Sequence, residues 1–251
     1  MFGCCTSGHE VDSEAELYLD KNFSKRGFPL DVKDKLSLPW KKICAEDLKT
    51  WLPVKWNADS TTKDILTIQG AKLRDLLPTL SVVHKDNIAH VLQNDGSWYL
   101  GETSTGFKKH MHGFGHHYFP GVAYYVGTFS EGLRNGKGLL IYPDGSWFLG
   151  LFLRDQKEFG ENYDVEDHTT FIGTFDNEVA QGVGIIKFKD GSKYQGEVKN
   201  GVQDGKGTFE WANGNKYSGE WKDGKKHGSG DLYIHAEEKC YCTYWIEGEM
   251  Q

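Results

Sequence analysis

From about residue 88 onward, apolar residues alternate with polar ones and the whole pattern recurs every 23 residues. Tyr125, Phe148, Phe171, Tyr194 and Tyr217 stand 23 apart. Two positions after each comes a glycine: Gly127, Gly150, Gly173, Gly196 and Gly219. Two further on sits an apolar residue: Phe129, Phe152, Phe175, Val198 and Trp221. Paired glycines follow at Gly136 and Gly138, Gly182 and Gly184, Gly205 and Gly207, and Gly228 and Gly230. Alternation is the signature of a half-buried strand, because successive side chains leave opposite faces of a sheet. Asp144-Gly145, Asp190-Gly191 and Asn213-Gly214 close each unit and predict two-residue hairpin turns with φ > 0 at both positions. Each unit therefore reads as two strands of ~5–6 residues. Its ring, its first glycine and its second apolar residue share one face. The rings are expected to lie over bare glycine backbone of the return strand, and each unit to bury its face on its neighbours. The predicted class is mainly β: an elongated, single-layer antiparallel sheet of hairpin repeats over residues 86–251, behind a mixed helical and irregular segment, 1–85.

The array extends both ways, with one altered unit between. Tyr99 and Gly101 begin a unit three residues longer than the rest. Tyr241, Trp245 and Gly248 continue the pattern with Thr243 in a glycine position, which weakens the expectation of a final hairpin. The unit from Phe148 to Thr170 has Asp155, Phe159, Glu161 and His168 where glycines otherwise recur, and predicts a reshaped, acidic loop near 154–167.

The spacing Y-x-G-x-F/W, then G-x-x-x-G-x-G, then an Asp/Asn-Gly turn, resembles the MORN repeat (membrane occupation and recognition nexus). The resemblance covers about residues 88–249. It implies an extended antiparallel sheet and a role in assembly or tethering, as in radial spoke heads of cilia and protist cytoskeletal scaffolds, and no catalysis.

The opposite parity carries Val126, Leu139, Ile141, Leu149, Leu151, Ile172, Val183 and Ile185, then turns polar from Gln195 onward. An exposed apolar patch of that extent marks an interface or a covered surface. Two occupants are open: part of residues 40–85, which holds Trp40, Trp51, Trp56, Leu66, Ile68, Leu73, Leu76 and Leu77, or another protein. The acids Asp155, Glu158 and Glu161 are further candidate contacts, and a terminal strand edge is a candidate site of homodimer pairing.

Composition narrows the chemistry. A net charge of −7 offers no footprint for nucleic acid. Five cysteines are an odd number in 251 residues and argue for a reducing compartment, so a cytoplasmic or cytoskeletal setting; a cilium or flagellum is what the repeat resemblance adds. Cys4 and Cys5 form a candidate S-acylation pair, while Phe2 in place of glycine removes the myristoylation signal. Membrane lipid is the alternative partner on that ground. His110, His112, His116 and His117 have spacings that can ligate zinc, but His112-Gly113 occupies the repeat position of His227-Gly228, so hairpin structure accounts for them. Cys240 and Cys242 share a strand face and read as structural thiols. No phosphate loop or nucleophile–base signature occurs. The expectation is a non-enzymatic protein without cofactor or metal.

Overall fold

A computed structural model describes residues 88–107 and 109–251. They form fifteen strands: β1 (Ile88–Leu92), β2 (Trp98–Thr103), β3 (Met111–Phe119), β4 (Ala123–Ser130), β5 (Leu133–Ile141), β6 (Trp147–Leu153), β7 (Gln156–Asp164), β8 (Thr169–Asp176), β9 (Val179–Lys187), β10 (Lys193–Lys199), β11 (Val202–Glu210), β12 (Lys216–Lys222), β13 (Lys225–Ile234), β14 (Lys239–Ile246) and β15 (Glu249–Met250). The described residues belong to two compact units, one ending at Asp167 and the other continuing from His168. In the first, each strand from β1 to β7 pairs antiparallel with the next. In the second, β8 to β15 do the same. The fold is mainly β and open, as the alternation predicts, because short turns can join only antiparallel neighbours. The mixed helical and irregular segment expected at residues 1–85 lies outside the described residues.

The repeat is a ring laid on two facing glycines. Tyr125 covers Gly127 and Gly138, which pair across β4 and β5. Phe171 covers Gly173 and Gly184, Tyr194 covers Gly196 and Gly207, and Tyr217 covers Gly219 and Gly230. Tyr99 does the same over Gly101 and Gly115. A Cβ on these glycines would fall within contact distance of the ring or of the facing backbone. The ring supplies the hydrophobic burial that two bare residues lack.

At three positions the residue four after a ring then locks neighbouring repeats together: Phe129 between Tyr99 and Tyr125, Phe152 and Trp221. Phe152 meets Tyr125 and Phe148 at centroid distances of 5.2 and 5.1 Å, nearly perpendicular to both. Trp221 stands likewise between Tyr194 and Tyr217 at 5.3 and 5.4 Å. Edge-to-face contacts of this kind add about 0.5–1.5 kcal/mol each beyond area burial.

Two turn types alternate, and their chemistry differs from the expectation. At Tyr142–Ser146 only Gly145 is left-handed (φ 95°), and its N–H donates to the Tyr142 carbonyl while the Tyr142 N–H donates to Ser146. That is a type I turn closed by a left-handed glycine. Asp144 stays right-handed because its carboxylate accepts from the Ser146 N–H at 2.8 Å. The turns with φ > 0 at both positions lie at the other strand ends, among them Asn200-Gly201 and Asp223-Gly224.

The altered unit is also repaired differently from the expectation. Arg154-Asp155 makes the same doubly left-handed turn as its counterparts. Gly160 faces Gly150 beneath Phe148, one place earlier than the glycine the 23-residue spacing assigns. Here the bulge holds one extra residue, Glu158, and Leu151 pairs with Phe159. Corresponding positions in other units hold a polar side chain over a glycine, as Glu197 lies over Gly205 and Glu220 over Gly228. An apolar pair has replaced that polar–glycine pair.

Candidate interaction surface

The ring side of the sheet is closed by its own packing. Three cations complete it, all at the ninth position after a nesting ring. Arg134 lies 5.0 Å from the Phe152 ring and 5.8 Å from Tyr125. Buried Lys157 lies 5.1 Å from Phe148, and its Nζ donates to Asn162 Oδ1 at 3.1 Å. Lys226 sits 3.6 Å from the Trp245 ring and close to Trp211 and Tyr217. Burial lowers the Lys226 pKa from the ordinary lysine value, and the ring faces offset that loss of solvation. These cations are not among the residues that the alternation and the glycines single out. Their fixed offset from the rings was the available signal.

The opposite side differs between the two units. In β2–β6, Val126, Leu139, Ile141 and Leu149 are buried in one cluster with Trp98, Phe114, Tyr124 and Trp147. The four aliphatic residues were candidate contacts; here they are core. In the unit from His168, Ile172, Val183 and Ile185 are only half-buried, as is Leu151 of β6. Ile172 and Ile185 pair directly, and Gln195, Thr208, Ser218 and Asp231 extend that row across β10–β13. A second row runs Lys187, Lys193, Glu210 and Lys216. In it the Glu210 carboxylate bridges Lys193 at 3.4 Å and Lys216 at 3.5 Å. A shallow groove of about 580 Å³, lined by Glu197, Lys206, Glu220, Trp221 and His227 among others, lies on β10–β13. The face therefore grades from aliphatic at β8–β9 to charged and hydroxylated at β10–β13.

The other candidates are placed as follows. Asp155 ties hairpins together: its Oδ1 accepts from the Arg134 N–H at 2.7 Å and from Arg134 Nε at 3.1 Å, and its carbonyl accepts from the guanidinium at 2.6 Å. Glu158 and Glu161 are half-buried, whereas Glu166 and Asp167 are exposed in the next turn, where Asp164 Oδ1 accepts their N–H groups. The hairpin after Thr243 does form, through a Glu247-Gly248 turn. Thr243 nevertheless stands opposite Gly230, and Tyr241 is 42% exposed instead of nested. Tyr244 of the same strand is exposed as well.

His116 and His117 point to opposite sides of β3. Burial pushes the His116 imidazole down to about 4; His116 Nδ1 and the Tyr124 hydroxyl are hydrogen-bonded at 2.5 Å, and Nε2 has no hydrogen-bond partner among the described residues. His117 is pushed down to about 4 as well, first by burial and then by Arg134. No group of three or more His, Cys, Asp or Glu is placed to hold a metal among the described residues. Cys240 and Cys242 are half-buried and exposed thiols on β14. Cys4 and Cys5 lie outside the described residues. No helix among the described residues is long and apolar enough to cross a membrane.

Hairpins paired in chain order, with rings nested on facing glycines, define a β-hairpin repeat protein. A family model described as MORN repeat matches residues 125–147, 194–216 and 217–233. No curated protein matches the chain. Solved structures similar to it include the SAS-4 (dCPAP) TCP domain of Drosophila melanogaster, in complex with a proline-rich motif of Ana2 (dSTIL). That structure is 12% identical, with a TM-score of 0.38, over 67% of this chain and 96% of that one. The TCP10 domain of Danio rerio CPAP with a STIL peptide is 12% identical, with a TM-score of 0.27, over 64% and 71%. A G-box domain of the microcephaly protein CPAP is 13% identical, with a TM-score of 0.23, over 63% and 99%. Superpositions this loose support no functional statement.

Proposed function

We propose that this protein is a non-catalytic scaffold that binds other proteins through the open face of β8–β13, within a cytoskeletal or ciliary assembly. The observation that carries this reading is the graded face itself. Ile172, Val183 and Ile185 lie half-buried on the sheet, beside rows of paired charges and hydroxyls. Partly exposed apolar side chains that adjoin charged and hydroxylated ones combine the two kinds of contact on which protein interfaces are built. The MORN repeats support a role in interaction, and the cytoskeletal setting rests on that repeat resemblance alone. Lipid contact by the repeats is the less favoured reading. The lysine row contains Glu210, which engages two of its members, and an anionic surface favours unopposed cations. β15 pairs only with Trp245 and Ile246 of β14, and the earlier part of β14, with exposed Tyr241, is a second route to a protein partner, including another copy of this chain.

The test is proximity labelling in the native cell, comparing wild type with Ile172→Asp/Ile185→Asp. The expected result is a cytoskeletal set of neighbours that the double variant loses while its melting temperature stays within a few degrees of wild type. Unchanged neighbours would refute the open-face reading. Flotation of the wild type with phosphoinositide vesicles, unaffected by the double substitution, would install the membrane tether in its place.

A further inference from the structure

We propose that a segment within residues 40–85 of this chain packs across the face formed by Trp98, Phe114, Val126, Leu139, Ile141 and Leu149, giving the β2–β6 sheet a second layer. The first ground is the burial pattern. Consecutive residues of a strand point to opposite faces. In the unit from His168 no two neighbouring residues are buried. In β3–β6, by contrast, burial is unbroken over residues 114–117, 124–127, 138–141 and 147–149. Tyr125 and Val126 are both sealed, and so are Leu140 and Ile141. A curled single layer can shelter its concave face but not both faces. Leu139 has no exposure at all, on the side away from the nested rings.

The second ground is that no second layer is found among the described residues. The partly buried residues packed on this cluster are Leu100, Tyr118 and Tyr163, which come from β2, β3 and β7 of the same sheet. The third ground is the chain that precedes β1. Residues 1–25 are polar, but 40–85 supply three tryptophans and a run of leucine and isoleucine from Leu66 to Leu77. Only residues 86 and 87 separate that segment from Ile88. A short tether raises the local concentration of the segment to the millimolar range, which favours it over a second molecule. This inference concerns the buried face and is independent of the open face proposed above for partners.

The test uses the full chain with Tyr118→p-benzoyl-phenylalanine. Tyr118 is half-buried at the rim of the cluster, 6.0 Å from Trp98, so the larger ring has room to project toward the cover. After irradiation and digestion, cross-linked peptides are expected to join position 118 to residues 40–85, at least tenfold above those from Ile172→p-benzoyl-phenylalanine on the open face. A cross-linked dimer in place of the intrachain product would assign the face to a second copy. Cross-links confined to residues 1–39, or quenching by water alone, would overturn the proposal outright. If near-UV circular dichroism shows that the Tyr118 variant is unfolded, Leu100→p-benzoyl-phenylalanine is read by the same criteria.

Discussion

At the scale of single residues, the fold depends on side chains that are missing. The three atoms nearest to a Cβ placed on Gly207 all belong to the Tyr194 ring. Gly207→Ala is therefore expected to cost about 1–3 kcal/mol in chemical denaturation, as overpacking does. In a Tyr194→Ala background the same change should cost much less, because the clashing ring is gone, and the double-mutant cycle measures that coupling. Ring-on-glycine packing was legible in the sequence from parity alone. Not legible was the state of His116, because a histidine suits an open strand face as well as a closed one and its own pattern does not decide between them. With the folded imidazole near 4 and the unfolded one near the usual 6.5, the unfolded chain binds the extra proton between those values. Stability is then constant above pH 6.5 and falls as pH drops toward 4. One fully buried histidine accounts for about 2 kcal/mol between pH 6.5 and 5, at about 1.4 kcal/mol per unit. Denaturation midpoints at the two pH values check this, with His116→Phe expected to flatten the slope.

At the scale of the hairpin, left-handed turns are the strained points. Glu178 holds φ at 68° where other units place glycine. That conformation costs a side chain about 1–2 kcal/mol, while glycine adds about 0.4–1 kcal/mol of unfolded-chain entropy. Glu178→Gly should therefore raise stability by about 0.5 kcal/mol. Asp155→Gly relieves the same strain but removes the carboxylate that receives Arg134, so its melting temperature is expected at or below wild type. Turn positions could be read from the Asp-Gly and Asn-Gly pairs, but not turn type. Asp144 and its counterparts use their carboxylates to stay right-handed. Gly160 escaped notice for a related reason: a fixed period assumes a fixed bulge, and this hairpin shortens its bulge by one residue.

At the scale of the whole molecule, the two units have separate apolar clusters. Among the described residues, the cluster from Phe171 to Trp245 is supplied by β8–β14 and the turns between them. Residues 168–251 expressed by themselves are expected to give strand circular dichroism and a cooperative melt, whereas 88–167 alone should self-associate through its uncovered face. Analytical ultracentrifugation of the two fragments separates these outcomes. The sequence did carry the difference. The residue before each nesting ring is Trp98, Tyr124 or Trp147 in the first unit and Thr170, Lys193 or Lys216 in the second. A large ring beside a large ring needs two interiors, and a lysine beside a ring needs only one. The last consequence lies at Thr243. Its hydroxyl donates to the Gly230 carbonyl and accepts from Trp245 Nε1, filling the place where another tyrosine would have lain flat. One methyl and one hydroxyl thus act as a ruler for the ladder: an added hairpin would find no bare rung at that place, and further growth along the same pattern has to begin from a different kind of contact.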